Sequence, residues 1–495
     1  MRFVALMVTS FLSAGAAPAE PARSPAYAAV QARLQHGWNS WDTNTVTGQV
    51  LLPYGLEIRL GVKKDSAENT NAFLPMALIG RKAAGEETVF PGPHSYDGSY
   101  TELRLKWRGI ELRLETAHVG DDLVMLVTPL STPARPPSAL GAAAARANTT
   151  FRSDTEATSQ APIAILSANM IWNLPGTVAR EGRDMVARLP GNVVTIHAAG
   201  PEIAEVQVPV TGPYFAYRLD RPAGISTGPA RTLTEIIALV AKAKAGFVER
   251  TSAAGTAAEV RGAIETVLGW DTIYDPAGGR VMSPVSRIWN QNWGGYVLFD
   301  WDTFFAATMA SLGSRDLAYA NALEVLNEVT PAGFVPNFAR AGGWKSWDRS
   351  EPPVGAVTIL DLYRRFHDRW LLKDSYDRLL QWNRWWPTNR SIGEYLVWGS
   401  DVSQPPVNPD DLSAGTLQGA RYESGLDNSP MYDGAGFDGR RMQLADVGLM
   451  SLYIADCDAL AAIAGELGRT RDAADLRARS DRYRRSLGHV DKGQP

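Results

Sequence analysis

The repeat period of the apolar residues changes near residue 232, and that change constrains the fold more than any other property of the chain. From His36 to about Arg231 the period is two, as in half-buried strands. In YTELRLKWRGIELRLETA, Leu103, Leu105 and Trp107 share one face, the chain turns at Arg108-Gly109, and Ile110, Leu112 and Leu114 resume the alternation, which predicts a hairpin. NVVTIHAAGPEIAEVQVPV predicts a second hairpin around Ala199-Gly200-Pro201. Many such runs joined by Gly and Pro predict an antiparallel β-sandwich over residues 20–231. Within it, TPARPPSALGAAAARANTT reads as a long surface loop.

Beyond residue 232 the period becomes helical. Thr232-Leu233-Thr234-Glu235 fits a capping box, and Ile236, Ile237, Val240, Phe247 and Val248 follow at helical spacing, so a helical linker is expected over 232–265. AAEVRGAIETVL, DTFFAATMASLG, RDLAYANALEVLNEV, AVTILDLYRRFHDRW, KDSYDRLLQWNRWW, MQLADVGLMSLYIADCDALAAIAGEL and RDAADLRARSDRYRRSL then predict an all-helical domain of paired helices over 266–495. The aromatic spacing of LLQWNRWW and DLYRRFHDRW fits helix-to-helix packing, and RARSDRYRRS reads as a solvated face.

Composition limits the function classes. A length of 495 residues suits two or three domains, and a formal net charge of -4 gives no basic excess to attract nucleic acid. The single cysteine, Cys457, lies in an apolar helical pattern and reads as a buried, inert thiol. The six histidines have no metal-ligand spacing, and no cofactor is expected, although Asp-rich loops without EF-hand spacing leave a structural calcium open. Residues 1–19 read as a signal peptide: Arg2 is a short positive region, Phe3 to Ala17 are apolar, and Ala17-Pro18-Ala19 offers a cleavage site. That predicts a periplasmic or secreted protein; no other stretch reaches the length of a membrane span.

The loops between the predicted helices carry the functional signal. GGRVMSPVSRIWNQNWGGYVLFDWD, PAGFVPNFARAGGWKSWDRSEPPVG and the stretch from Val397 to Arg441 are long and rich in Trp, Asp, Asn, Gly and Pro, and compact domains keep such loops chiefly for function. They are expected to gather at one end of the domain. Indole faces beside carboxylates, amides and arginines suit a sugar, whose axial hydrogens pack on an aromatic ring while its hydroxyls demand donors and acceptors. Glycoside cleavage further requires one carboxyl to protonate the leaving oxygen and another to activate water or attack the sugar.

Taken together, GWNSWDTNTVTGQVLLPYGLEI, WDTIYDP, DWDTFFAA, VPNF, DRSEPPVG and RYESGLDNSPMYD resemble glycoside hydrolase family 63, which includes processing α-glucosidase I, bacterial α-glucosidases and mannosylglycerate hydrolases. The resemblance runs from about Trp38 to the end of the chain, and the catalytic-domain motifs are also similar to those of trehalases. It implies a β-sandwich, a helical linker and an (α/α)6 toroid that hydrolyses α-linked glucosides of oligosaccharides with inversion. By resemblance, Asp427 in the ESG-x-D loop is the general acid, its pKa raised by apolar enclosure and a neighbouring carboxylate such as Glu423, with Gly425 admitting the sugar close to the backbone. The competing reading of Asp427 and Asn428 is an Asx-turn.

The resemblance also implies that Trp301 stacks on sugar and Asp302 accepts from its hydroxyls, while an N-cap is the alternative for Asp302. Asn337 and Arg349 would contact hydroxyls, though Arg349 could instead pair with Asp348 or Glu351. Glu351 stands where the trehalase version of the loop has glutamine, which argues against a trehalose pocket. Arg421 could hold Glu423 or a hydroxyl, and Trp344 and Trp347 are candidate walls that core packing could equally claim.

The chain departs from the family in one respect. Family 63 places its general-base glutamate far downstream of the ESG-x-D loop, yet after Asp433 the only glutamate is Glu466 in AIAGELG, and seven or eight predicted helices fall short of the twelve a toroid needs. The expectation is therefore an incomplete toroid with its base beyond residue 495, with a non-catalytic carbohydrate-binding protein, or trehalase-like or mannosylglycerate hydrolase-like activity, as the alternatives.

Overall fold

The computed structural model describes residues 23–64, 72–79, 87–131, 161–203, 206–402 and 411–490. The predicted signal peptide and the Pro/Ala-rich loop lie outside the described residues. Helix α1 (Pro25–Leu34) opens the described chain: Ser24 Oγ accepts the Tyr27 N–H at 3.2 Å, and Pro25 takes the first helical position, where its missing N–H costs nothing.

Two antiparallel sheets follow. The smaller is built from β1 (Gly37–Asn39), β2 (Gly48–Leu52), β3 (Leu56–Lys63), β4 (Phe73–Leu74), β9 (Ile163–Met170) and β13 (Tyr214–Arg218), in the order β1-β2-β3-β9-β13 with β4 also on β3. The larger runs β10-β11-β12-β14-β8-β7-β6-β5, from β5 (Glu87–His94), β6 (Tyr100–Trp107), β7 (Ile110–Val119), β8 (Asp122–Ser131), β10 (Thr177–Glu181), β11 (Asp184–Leu189), β12 (Asn192–Ala199) and β14 (Ala223–Thr227). Between them Leu56, Ile58, Leu60 and Leu166 meet Leu103, Leu105, Leu112, Leu114 and Met125 in one core. The predicted hairpin is present in register, with Leu103 opposite Leu114, Leu105 opposite Leu112 and Trp107 opposite Ile110. Arg108 and Gly109 both take positive φ at its turn, which suits the strand twist.

The second predicted hairpin does not form. β12 pairs with β11 and β14, while the chain after Gly200 leaves the large sheet and lays Ile203, Val206, Val208 and Val210 over Ile163, Ile165 and Phe73 of the small one. Alternation there reflects a chain lying half-buried on a sheet face; Pro201, Pro209 and Pro213 supply no N–H for a ladder.

The capping box is as predicted: the Glu235 N–H reaches Thr232 Oγ1 at 3.3 Å, and the Thr232 N–H reaches Glu235 Oε2 at 2.7 Å. It opens α2 (Leu233–Ser252), which buries Ile236, Val240 and Phe247 on the outer face of the large sheet, while Ile237 and Val248 stay exposed. α3 (Ala258–Asp271) ends with Trp270 inside the sandwich core, where its Nε1 donates to the Gly92 carbonyl at 2.8 Å.

The remaining helices are α4 (Arg287–Asn292), α5 (Asp300–Ala310), α6 (Arg315–Asn327), α7 (Gly355–Phe366), α8 (Arg369–Asn389), α9 (Leu417–Glu423), α10 (Val447–Glu466) and α11 (Thr470–Val490). Short turns join α5 to α6, α7 to α8 and α10 to α11, and α7 packs between α5 and α10. The described residues thus supply three helix pairs, the repeat expected of an (α/α)6 toroid. AVTILDLYRRFHDRW, read as one segment, is broken at His367, which takes φ 59°. Trp382, Trp385 and Trp386 are buried core residues, as the aromatic spacing predicted. α10 is the one described helix long and apolar enough to cross a membrane, and most of it is buried among the others.

Candidate functional site

The long loops converge, as expected, on the N-terminal ends of α5, α7 and α10. Backbone bonds lock them there: the Asp300 N–H donates to the Asn337 carbonyl at 3.1 Å, and the Asn337 N–H to the Arg349 carbonyl at 3.1 Å. α5 starts at Asp300, so Asp302 lies inside its first turn and is not the N-cap. The cap position is Phe299, which has no side-chain acceptor. Glu351 serves instead from the loop before α7, its Oε2 accepting the Trp301 N–H at 3.2 Å.

Glu351 is also tied to the neighbouring loop. Its Oε1 accepts from Asn337 Nδ2 at 2.5 Å, and the same amide reaches the Tyr422 carbonyl at 3.3 Å. Arg349, 2% exposed, donates Nε to Asn337 Oδ1 at 3.2 Å, Nη1 to Asp348 at 2.9 Å and Nη2 to Asp411 at 2.6 Å, and its guanidinium stacks 5.1 Å above the Tyr422 ring. Of its two foreseen ion-pair partners, Arg349 takes Asp348 and not Glu351.

Trp301 and the ESG-x-D turn meet directly. Gly425 has φ +67°, and a methyl group there would sit 2.4 Å from Trp301 Cζ2. The glycine expected to admit sugar therefore admits the indole. Trp301 stays partly exposed, with the exposed Phe305 ring 5.6 Å away on the same helix. Asp427 follows two residues later and is exposed. Its turn is closed by the Ser429 N–H on the Leu426 carbonyl at 2.9 Å, a backbone bond and not an Asx bond.

Electrostatics join the carboxyls. Burial and the charge of Asp427 push Asp302 up; burial pushes Asp427 up, with Arg349 pulling it back; burial, Asp302 and Asp427 push Glu351 well above the ordinary range. Asp302 and Glu351 thus both feel the charge of Asp427, on the turn seated against the Trp301 indole.

Glu423 does not supply the neighbouring charge expected of it. It is fully buried, its Oε2 accepting Arg390 Nε at 2.7 Å and the Gly399 N–H at 2.5 Å, its Oε1 the Ser350 N–H at 2.9 Å. It fastens three loops together. Arg421 holds neither Glu423 nor the cluster, but donates to Asp433 at 3.0 Å. Trp344 lies on a short strand opposite Arg340 and Trp347 under the Lys345 ammonium at 6.0 Å; none of the bonds that tie the cluster runs through either.

Arg390, Tyr422, Asp411 and Asp300 were not foreseen. Asp300 and Tyr422 lie in the motifs DWDTFF and RYESGLDNSPMYD, whose other residues drew the assignments. Among the described residues no three His, Cys, Asp or Glu side chains converge as metal ligands.

Residues 295–490 match the family model for the mannosylglycerate hydrolase MGH1-like glycoside hydrolase domain. This stretch is similar to a glycoside hydrolase domain. It runs from the loop before α5 to the end of α11, so every residue of the cluster lies inside the matched stretch. No curated protein matches the sequence. Among solved structures, a bacterial glucoamylase complexed with acarbose is 10% identical at a TM-score of 0.44, over 91% of this chain and 66% of that one. A family GH92 α-mannosidase from Bacteroides thetaiotaomicron is 11% identical at 0.37, over 91% and 64%. An uncharacterized conserved protein from Thermus thermophilus is 18% identical at 0.31, over 39% and 56%. The chain spans less than two thirds of the length of each.

Proposed function

We propose that the glycoside hydrolase domain cleaves α-linked glucosides of oligosaccharides with inversion, that Asp427 is the general acid, and that the protein is exported to the periplasm or beyond. One observation carries the reading: an exposed carboxyl with a raised pKa stands on the turn whose Gly425 is seated against the partly exposed indole of Trp301. Trp301 takes the apolar face of the sugar and Asp302 accepts from its hydroxyls. Asn337, Arg349 and Glu351 have their polar atoms engaged with one another and with the loops, so their role is to hold Trp301 and Asp302 in place. Asp427 gives its proton to the glycosidic oxygen as the bond to the anomeric carbon breaks, while a water deprotonated by a base attacks from the other face.

Proton NMR of a fresh digest tests this: the β-anomer of the released sugar is expected first, and initial α-anomer would sink the inverting mechanism. Asp427→Asn is expected to abolish turnover and leave binding largely intact. Because the acid must be protonated, the rate is expected to fall as pH rises through the Asp427 pKa.

A second reading, binding without hydrolysis, is favoured by one observation. Glu466, the only glutamate downstream of Asp433, sits at the exposed C-terminal end of α10 with Oε2 accepting from the Tyr363 hydroxyl at 3.0 Å, a poor place for a base. Oligosaccharide binding by the 495-residue chain with no product would establish that reading.

A further inference from the structure

Asp300 is fully buried, and neither of its carboxyl oxygens has a hydrogen-bond partner among the described residues. A carboxylate in that position would be among the costliest groups in the molecule, because it loses its hydration and gains only the pull of the Glu351 backbone N–H, which burial and the Glu351 charge outweigh. The charged groups acting on it make matters worse. They are Glu351 from the loop before α7, Asp302 from its own helix and Asp456 from α10, all acidic. Asp456 is itself buried, holds Asn383 Nδ2 at 2.7 Å and leaves its Oδ1 unpartnered.

The position matters as much as the burial. Asp300 is the first residue of α5, directly before Trp301 and Asp302, and its backbone N–H is fastened to Asn337. Glu351, the nearest of its acidic neighbours by effect, caps the same helix end. A charge on Asp300 behind that turn would stand in a water-free space with no cation to balance it. The turn, and with it the exposed indole, would be driven out of place.

We propose that Asp300 is a positioning residue that works as a neutral carboxylic acid: it stays protonated through neutral pH, leaves Glu351 free to carry the helix cap and the Asn337 bond, and so holds Trp301 and Asp302 on the sugar-binding face. Its consequence for sugar rests on the glycosidase reading; its protonation does not.

The experiment is urea unfolding of the full chain and of Asp300→Asn between acid and alkaline pH. Burial and the neighbouring acids raise the native pKa of Asp300 well above the ordinary value. The sign follows: below about pH 4 the carboxyl is protonated in both states, and above it the unfolded chain releases a proton that the native state keeps. Wild type therefore loses stability with rising pH that the asparagine variant does not. The midpoints of the two proteins are expected to separate progressively in favour of Asp300→Asn as pH rises. Parallel curves, or a variant less stable throughout the neutral range, would show an ionised, partnered Asp300 and overturn the proposal.

Should the variant fail to fold, carboxyl-13C-aspartate NMR of the wild type decides the matter, with Asp456→Asn used to assign the other buried acid. An Asp300 signal that keeps its protonated shift at neutral pH supports the proposal, and one that titrates near pH 4, about the ordinary value, rejects it. The sugar consequence is read separately, as loss of the fluorescence change on adding maltotriose at alkaline pH in wild type but not in Asp300→Asn. If maltotriose gives no change in either protein at any pH while the urea curves separate, the glycosidase reading fails and the neutral acid stands.

Discussion

Gly425 illustrates how much of the site rests on single atoms. Its positive φ and its contact with Trp301 are separate demands, and only glycine meets both. Gly425→Ala is expected to cost about 1–3 kcal/mol in strain and overpacking, and to weaken sugar binding by tilting the indole. Urea midpoints and an oligosaccharide titration check this; an unchanged midpoint would mean that the turn can relax. Arg390 is the second such residue. It bonds Glu423, Asp401 and the Asp348 carbonyl from a fully buried position, so Arg390→Met should leave Glu423 as an uncompensated buried charge and cost about 3–5 kcal/mol, measured by the same unfolding curves. At this scale the sequence was legible where a motif concentrates chemistry. RYESGLDNSPMYD and DWDTFF led to Gly425, Asp427, Trp301 and Asp302, which the fold does bring together. Arg390 lies in an undistinguished NRSIGEY, and its partner Glu423 is 33 residues away, so no local pattern announced it.

Among the elements, α5 depends on a cap borrowed from elsewhere in the chain. Phe299 offers no acceptor, and Glu351 reaches the Trp301 N–H from 50 residues downstream while also holding Asn337. Glu351→Ala removes the cap and leaves the Asn337 amide only the Tyr422 carbonyl, which together should cost about 2–4 kcal/mol. Loss of protection at the Trp301 amide, read by hydrogen exchange, would show that the effect is local to the first turn; uniform loss along α5 would argue for a wider packing defect. Helix existence was readable because period and local caps are neighbours in sequence, as at Thr232 and Glu235. The start of α5 was misjudged by two residues because its cap is not local. The failed hairpin at Gly200 has a related cause, since alternation records only that one side of a chain is buried, and not whether a strand or the face of a sheet buries it.

For the whole molecule, the question is whether the sandwich and the helical region unfold as one. Each reaches into the other. Tyr27 of α1 donates to Glu324 of α6 and packs in the helical core, although α1 precedes the sandwich in sequence, and Trp270 of α3 fills the sandwich core. Between them Arg287, 2% exposed and with its guanidinium pushed down to about 10 by burial, donates to the carbonyls of Ser40 at 2.6 Å, Thr45 at 3.3 Å and Thr272 at 2.9 Å. The first two of these ties connect residues more than two hundred positions apart, which is why the change of period, which divides the chain near residue 232, could not show the interlock. The Ser24-Pro25 start signal of α1 was present in the sequence, but only the partner surface on α6 makes that helix part of the later core. A single urea transition, with tryptophan fluorescence and far-ultraviolet dichroism coincident, is therefore expected of the described fold. Arg287→Leu should leave the three carbonyls unpaired, lower stability by at least about 3 kcal/mol, and split the two probes, because the helical region loses its grip on the sandwich. Coincident curves at a lower midpoint would place the coupling in Trp270 and α1 instead, and an unchanged midpoint would show that water replaces the guanidinium at the junction without loss.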